Sequence, residues 1–252
     1  ELEDETLNSN SRQLPVDPIP LISKNPNPSD GGITTDAADV EDGDGNLGLG
    51  SGALQNLTDG MNNVAIGTDA LYNNSSGDAN TALGHHALLN NTGNYNTAVG
   101  AYSLYSNTSG MDNTAMGLRA LYSNTTGEYN TALGSNALYT NATGSNNTAV
   151  GYTALYNATG DENTAIGQSA MYYTTTGTEN SALGDYALYK NTTGSYNSAF
   201  GKSALYSNTT GNNNVAMGAY ALSTNTSGGY NTAVGSYALY VNTTGGDNVA
   251  FG

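Results

Sequence analysis

Apolar residues along this chain fall into short clusters separated by turn-forming residues, and the clusters recur at an almost constant interval. The pentad Asn-Thr-Ala-Φ-Gly, with Φ an aliphatic residue, Met or Phe, begins at Asn80, Asn96, Asn113, Asn130, Asn147, Asn163, Asn180, Asn197, Asn214 and Asn231. Looser copies begin at Asn46 and Asn63, and a last one at Asn248. Successive starts lie 17 residues apart, except after Asn80 and Asn147, where the step is 16. The consensus is N-T-A-Φ-G-x-x-A-L-Y-x-N-T-T-G-x-x. A short period sustained over most of a chain marks a solenoid, in which each repeat is one coil stacked on the next.

Within a coil, N-T-A-Φ-G and x-A-L-Y are each about the length of a short strand. N-T-T-G and the junction before the next Asn supply the turns, where Gly and Asn accept positive φ at little cost. Glycine twice in every repeat rules out a helical solenoid. The pattern therefore predicts an all-β chain, a parallel β-solenoid of about twelve coils, each strand pairing with its copy in the next coil. At about 4.8 Å per coil the rod would be roughly 55–60 Å long. Alternation across the first strand sends the Ala column (Ala65, Ala82, Ala98, Ala115 onward) one way and the Φ column (Ile66, Leu83, Val99, Met116 onward) the other. In the second segment Leu71, Leu88, Leu104, Leu121, Leu138 and Leu155 form a nearly pure leucine column. Ala plus Leu suits a thin interior. The tolerant Φ column suits either the interior or a contact between chains, because an apolar stripe of that length is costly to leave in water.

Composition divides the chain in two. Residues 1–45 hold eleven Asp and Glu against Arg12 and Lys24, and contain every proline, so they read as an acidic, extended segment; residues 46–252 are the repeat domain. A net charge of -16 excludes a nucleic-acid reader, which needs a basic footprint. No apolar run approaches the roughly 18 residues of a spanning helix, so membrane insertion is not expected. With no cysteine there is no disulfide framework. A chain opening on Glu1 reads as a mature protein from which a leader has been removed.

The pentad with its downstream Ala-Leu resembles the head repeat of YadA-like trimeric autotransporter adhesins, also found in tail-fibre-like proteins, whose motif is N-S-x-A-Φ-G-x-x-A. Asn180-Ser181-Ala182-Leu183-Gly184 and Asn197-Ser198-Ala199-Phe200-Gly201 carry it most closely. The resemblance covers residues 46–252, although the N-T-T-G turn is longer here. It implies a left-handed β-roll and an extracellular or cell-surface location.

Catalytic chemistry has little support, and the chain is not expected to be an enzyme. His85 and His86 are the only histidines, occupy variable positions of one coil, and read as exposed residues without further ligands. Asp42-Gly43-Asp44-Gly45-Asn46 opens like a calcium loop, but Ala53 stands where the closing Glu belongs, so it reads as an acidic linker and no cofactor is expected. Sequons occur in the turn of eleven of the twelve coils, at Asn56, Asn73 or Asn74, Asn90, Asn107, Asn124, Asn141, Asn157, Asn191, Asn208, Asn225 and Asn242. They are candidates for N-linked glycans. The competing reading has Asn at a left-handed corner and Thr hydroxyls satisfying the turn backbone. Tyr72, Tyr105, Tyr122, Tyr139, Tyr156, Tyr172, Tyr189, Tyr206 and Tyr240 sit one or two coils apart, as a stabilising aromatic ladder or as a platform for sugars. A Thr column (Thr81, Thr97, Thr114, Thr131, Thr148, Thr164), interrupted by valines, raises ice binding as a minor reading.

Two segments outside this regularity point to self-association. Leu14, Val16, Ile19, Leu21 and Ile22 lie in a proline-punctuated apolar stretch that suits an edge strand or tether on a neighbour. Val249 and Phe251 belong to a thirteenth pentad and read as a docking end. The expectation is therefore a structural filament subunit whose main partners are copies of itself. The alternative is a trimeric adhesin or fibre head that binds glycans or host-surface receptors.

Overall fold

The structure, a computed structural model, describes residues 44–252. Leu14–Ile22 lie outside the described residues. Thirteen strands of three residues each follow one another as β1 (Leu47–Leu49), β2 (Val64–Ile66), β3 (Thr81–Leu83), β4 (Thr97–Val99), β5 (Thr114–Met116), β6 (Thr131–Leu133), β7 (Thr148–Val150), β8 (Thr164–Ile166), β9 (Ser181–Leu183), β10 (Ser198–Phe200), β11 (Val215–Met217), β12 (Thr232–Val234) and β13 (Val249–Phe251). They form one parallel sheet in sequence order. Each pairs in register with its copy in the next coil, as in Thr114↔Thr131, Ala115↔Ala132 and Met116↔Leu133. The chain is a β-solenoid of about twelve turns, as the repeat predicts.

The two 16-residue steps leave this register intact, with Thr81 opposite Thr97 and Thr148 opposite Thr164. The missing residue comes from the turn: Asn74-Ser75-Ser76-Gly77 becomes Asn91-Thr92-Gly93, and Ala158-Thr159-Gly160 is shortened likewise. The rod absorbs the deletion where no strand pairing depends on it.

The x-A-L-Y segment is not a second strand, contrary to expectation. It is built from tight turns. Ala70 N–H donates to Gly67 O (3.2 Å) and Asn74 N–H to Leu71 O (3.1 Å), closing two successive four-residue turns. Asp69 and Leu71 both adopt left-handed backbone, at φ 54° and 52°, and the whole leucine column repeats this at φ 49–56°. Left-handed backbone costs a residue with a Cβ about 1–2 kcal/mol. Full burial of a leucine returns about 1.5–3 kcal/mol, and Leu71 through Leu222 are fully buried. Turn backbone still bonds along the rod axis: Leu71 N–H reaches Ala87 O upward (3.0 Å) and Asp69 N–H reaches Ser51 O downward (2.8 Å).

The core is thin. The strand alanines, the alanines of the second segment and the leucine column, with Met171 in one coil, fill it. The strand's outer positions stay out of it, so the Φ column lies on the surface.

The turn chemistry also differs from expectation. The glycine after each strand has φ 126–147°, a region closed to residues with a Cβ. The glycine of N-T-T-G has no positive φ; close approach excludes a side chain there instead. A Cβ on Gly127 would lie 2.3 Å from Gly144 O and 2.5 Å from Asn124 Oδ1. Neither repeated Asn column takes the left-handed corner. That conformation belongs to the residue before the first Asn, such as Tyr129 or Glu179.

Candidate functional surfaces

The two Asn columns form buried ladders. In the first, Asn80 N–H and Nδ2 both donate to Asn63 Oδ1 (2.9 and 3.1 Å), and Nδ2 also reaches Gly93 O (2.9 Å). In the second, Asn124 Nδ2 donates to Asn107 Oδ1 (2.7 Å) and Gly127 O (3.0 Å). Each amide closes its own turn, and where the preceding coil also carries Asn it ties the two coils together. Threonine hydroxyls complete the turns, Thr125 Oγ1 donating to Ala142 O (2.9 Å).

This second ladder contains most of the sequons. Asn74, Asn107, Asn124, Asn141, Asn191, Asn208 and Asn225 are fully buried, and the Nδ2 that would carry a glycan is committed to hydrogen bonds in each. Asn242, in the same column, is half-buried. Asn56, Asn90 and Asn157 fall one position earlier, on the outer side, exposed or half-buried. Nδ2 is hydrogen-bonded at these four as well, so what sets them apart is exposure, which leaves room for a glycan that burial denies the seven.

The ladder is broken once. Ala158 and Thr174 occupy the column between Asn141 and Asn191. Asn141 Oδ1 and Thr174 Oγ1 are accordingly buried without a hydrogen-bond partner.

The tyrosine column stacks. Rings of Tyr105, Tyr122, Tyr139, Tyr156 and Tyr172 are near-parallel with centroids 5.0–5.1 Å apart. Tyr189 continues the run at 5.6 Å with a 31° tilt, and Tyr206 follows at 5.1 Å. Leu89 and Ser223 separate Tyr72 and Tyr240 from it. Within the run each ring's faces are covered by its neighbours, which leaves edges and hydroxyls outward and suits the ladder reading better than a sugar platform. Burial, together with the charge that neighbouring tyrosinates would carry, raises the phenol pKa of Tyr122, Tyr172 and Tyr189. At one end His85 and His86 stack on each other (3.7 Å) and both meet the Tyr102 ring edge-on. His86 Nε2 lies 3.1 Å from Asp69 Oδ2, and its Nδ1 is buried without a partner. Among the described residues no group of three His, Cys, Asp or Glu could hold a metal ion.

On the sheet's outward face the Thr and Φ columns run side by side. Leu83, Met116, Ile166, Leu183, Phe200 and Met217 are 36–47 % exposed, which makes an apolar stripe along the rod. Val249 and Phe251, on β13, are 68 % and 76 % exposed. Among the described residues no helix is long and apolar enough to cross a membrane.

The chain matches no protein-family model, no curated protein and no solved structure.

Proposed function

We propose that the chain is the structural subunit of an extracellular or cell-surface filament, in which rods stack head to tail. The observation that carries this reading is the interchangeability of the coils. Strand register, the first Asn ladder and the glycine contacts repeat from coil to coil, so the upper surface of one coil complements the lower surface of another. Among the described residues β1 and β13 each have a strand partner on one side only. A β13 edge meeting a β1 edge would extend the strand pairing and the first Asn ladder across a subunit boundary, with Leu57 standing where the second Asn ladder would continue, and heterologous contacts of this kind propagate without closing. Leu14–Ile22 would then lie along the neighbour as a tether. Electron microscopy of the full chain beside a variant lacking residues 1–28 tests this. Filaments are expected from the former and shortened or absent filaments from the latter; unchanged assembly removes the tether from the account.

The exposed Φ stripe favours a second reading, a fibre head or adhesin whose rods associate side by side. Met116→Lys and Leu183→Lys, at exposed positions that the core does not use, separate the two. Sedimentation would then show loss of discrete oligomers if the stripe is the interface. Head-to-tail filaments would be unaffected.

A further inference from the structure

The tyrosines outside the ladder differ from those within it. The position before the first Asn of each coil reads Tyr196, Asn213, Tyr230 and Asp247 in the last four coils. All four have φ 57–59°, so their side chains leave the backbone in the same direction. Their N–H groups tie each coil to the previous one, Asn213 N–H donating to Ser195 O (3.1 Å) and Tyr230 N–H to Asn212 O (3.0 Å).

Tyr196 and Tyr230 are 54 % and 66 % exposed. They stand two coils apart, about 10 Å at the usual interstrand spacing. The ladder shows what that interval holds. Tyr122 fills it between Tyr105 and Tyr139, at 5.1 Å from each. Here Asn213 sits in the middle and supplies no ring. What remains is a slot one ring wide, and Ser195, Tyr196, Asn213, Ser227, Tyr230 and Asp247 line a cavity of about 480 Å³ there. Asn212 Oδ1 is held by Ser195 N–H (2.8 Å), and the Glu179 carboxylate, one coil back, raises the pKa of the Tyr196 phenol by hydrogen bonding and by its charge.

We infer that this slot binds a neutral hexose unit of a glycan, its ring sandwiched between Tyr196 and Tyr230. Aromatic faces suit the apolar face of a pyranose, and the surrounding amide, hydroxyl and carboxylate groups suit its hydroxyls. The chain's net charge of -16 and the neighbouring Asp247 disfavour an anionic sugar or a phosphate. The cavity is partly open to solvent, and the two rings bound it along the rod, so a glycan chain would enter and leave across the rod axis. Tyr95, Asp112 and Tyr129 repeat the arrangement six coils earlier with Asp in the middle. This site is independent of the filament reading and would function in a single rod.

The test is titration of the full chain with cellohexaose and with mannohexaose, read by tyrosine fluorescence and calorimetry. Saturable binding of at least one is expected. Tyr230→Ala should weaken it about tenfold, while Tyr230→Phe, which keeps the ring, should retain it. Asn213→Tyr should abolish it by filling the slot. Tyrosine already occupies this column at the same φ in Tyr129, Tyr196 and Tyr230, so this variant keeps the fold, which circular dichroism checks. Failure of both oligosaccharides to bind at millimolar concentration overturns the inference. So does wild-type binding by Asn213→Tyr, or binding of choline, as a cation probe, in place of either sugar.

Discussion

At the residue scale the molecule depends on side-chain amides used as backbone. Each Asn of the second ladder replaces a missing peptide contact between coils, and the break at Ala158 and Thr174 shows the cost, because Asn141 Oδ1 is left buried and unpaired. A buried acceptor without a partner costs about 1–3 kcal/mol. Ala158→Asn combined with Thr174→Asn should therefore raise stability by about 1–3 kcal/mol, seen as a higher midpoint in urea. The shortened coil at Asn91 shows that Asn fits such a turn, its Nδ2 reaching Gly93 O at 2.7 Å. The tyrosine ladder makes a different prediction. Tyr122, Tyr172 and Tyr189 have pKa values raised above the phenol's ordinary 10.0. A folded-state pKa above the unfolded one means that their stabilisation is complete below pH 10 and is lost as pH climbs through the raised values. Absorbance titration should show these phenols ionising above the ordinary phenol value, with thermal stability falling over the same alkaline range. A midpoint that stays flat above pH 10 would contradict this.

At the element scale one coil has a single bulky core residue, so each leucine carries much of its coil's packing. Leu138→Ala should cost about 3–5 kcal/mol, measured by denaturant unfolding, because the Ala columns around it offer nothing to collapse into the gap. Gly127→Ala should cost about 3 kcal/mol or more, since its Cβ would meet the Gly144 carbonyl. The columns themselves were legible from sequence: the strand alanines, the leucines, both glycine positions and the parallel stacking follow from the 17-residue period. The second segment was misread because x-A-L-Y has strand length and β-compatible residues. One signal did point the other way. Ala and Leu are adjacent and both buried in nearly every coil, and a strand sends adjacent side chains to opposite faces. Only backbone alternating into the left-handed region brings both inside. The ladder role of Asn was hidden for a related reason. Sequon and turn-former share one residue type, and the column at Asn74 differs from the position of Asn56, Asn90 and Asn157 by one place in the repeat, whose consequence for burial shows only in the fold. The slot at Asn213 was not visible either, because an interrupted column becomes a cavity only when its neighbours are rings two coils apart.

At the scale of the whole molecule, two surfaces compete to define assembly: the rungs at the rod's ends and the apolar stripe along its side. Head-to-tail stacking extends existing backbone ladders and keeps every rod axis parallel to the filament. Side-by-side association buries the Φ column and makes bundles of fixed length. The direction of the coil spacing tells them apart, and X-ray diffraction from an oriented preparation of the assembled full-length chain measures it. Head-to-tail stacking predicts long filaments with a strong meridional reflection at about 4.8 Å, along the filament axis. Discrete particles one rod long, or filaments with that spacing off the meridian, would contradict the account.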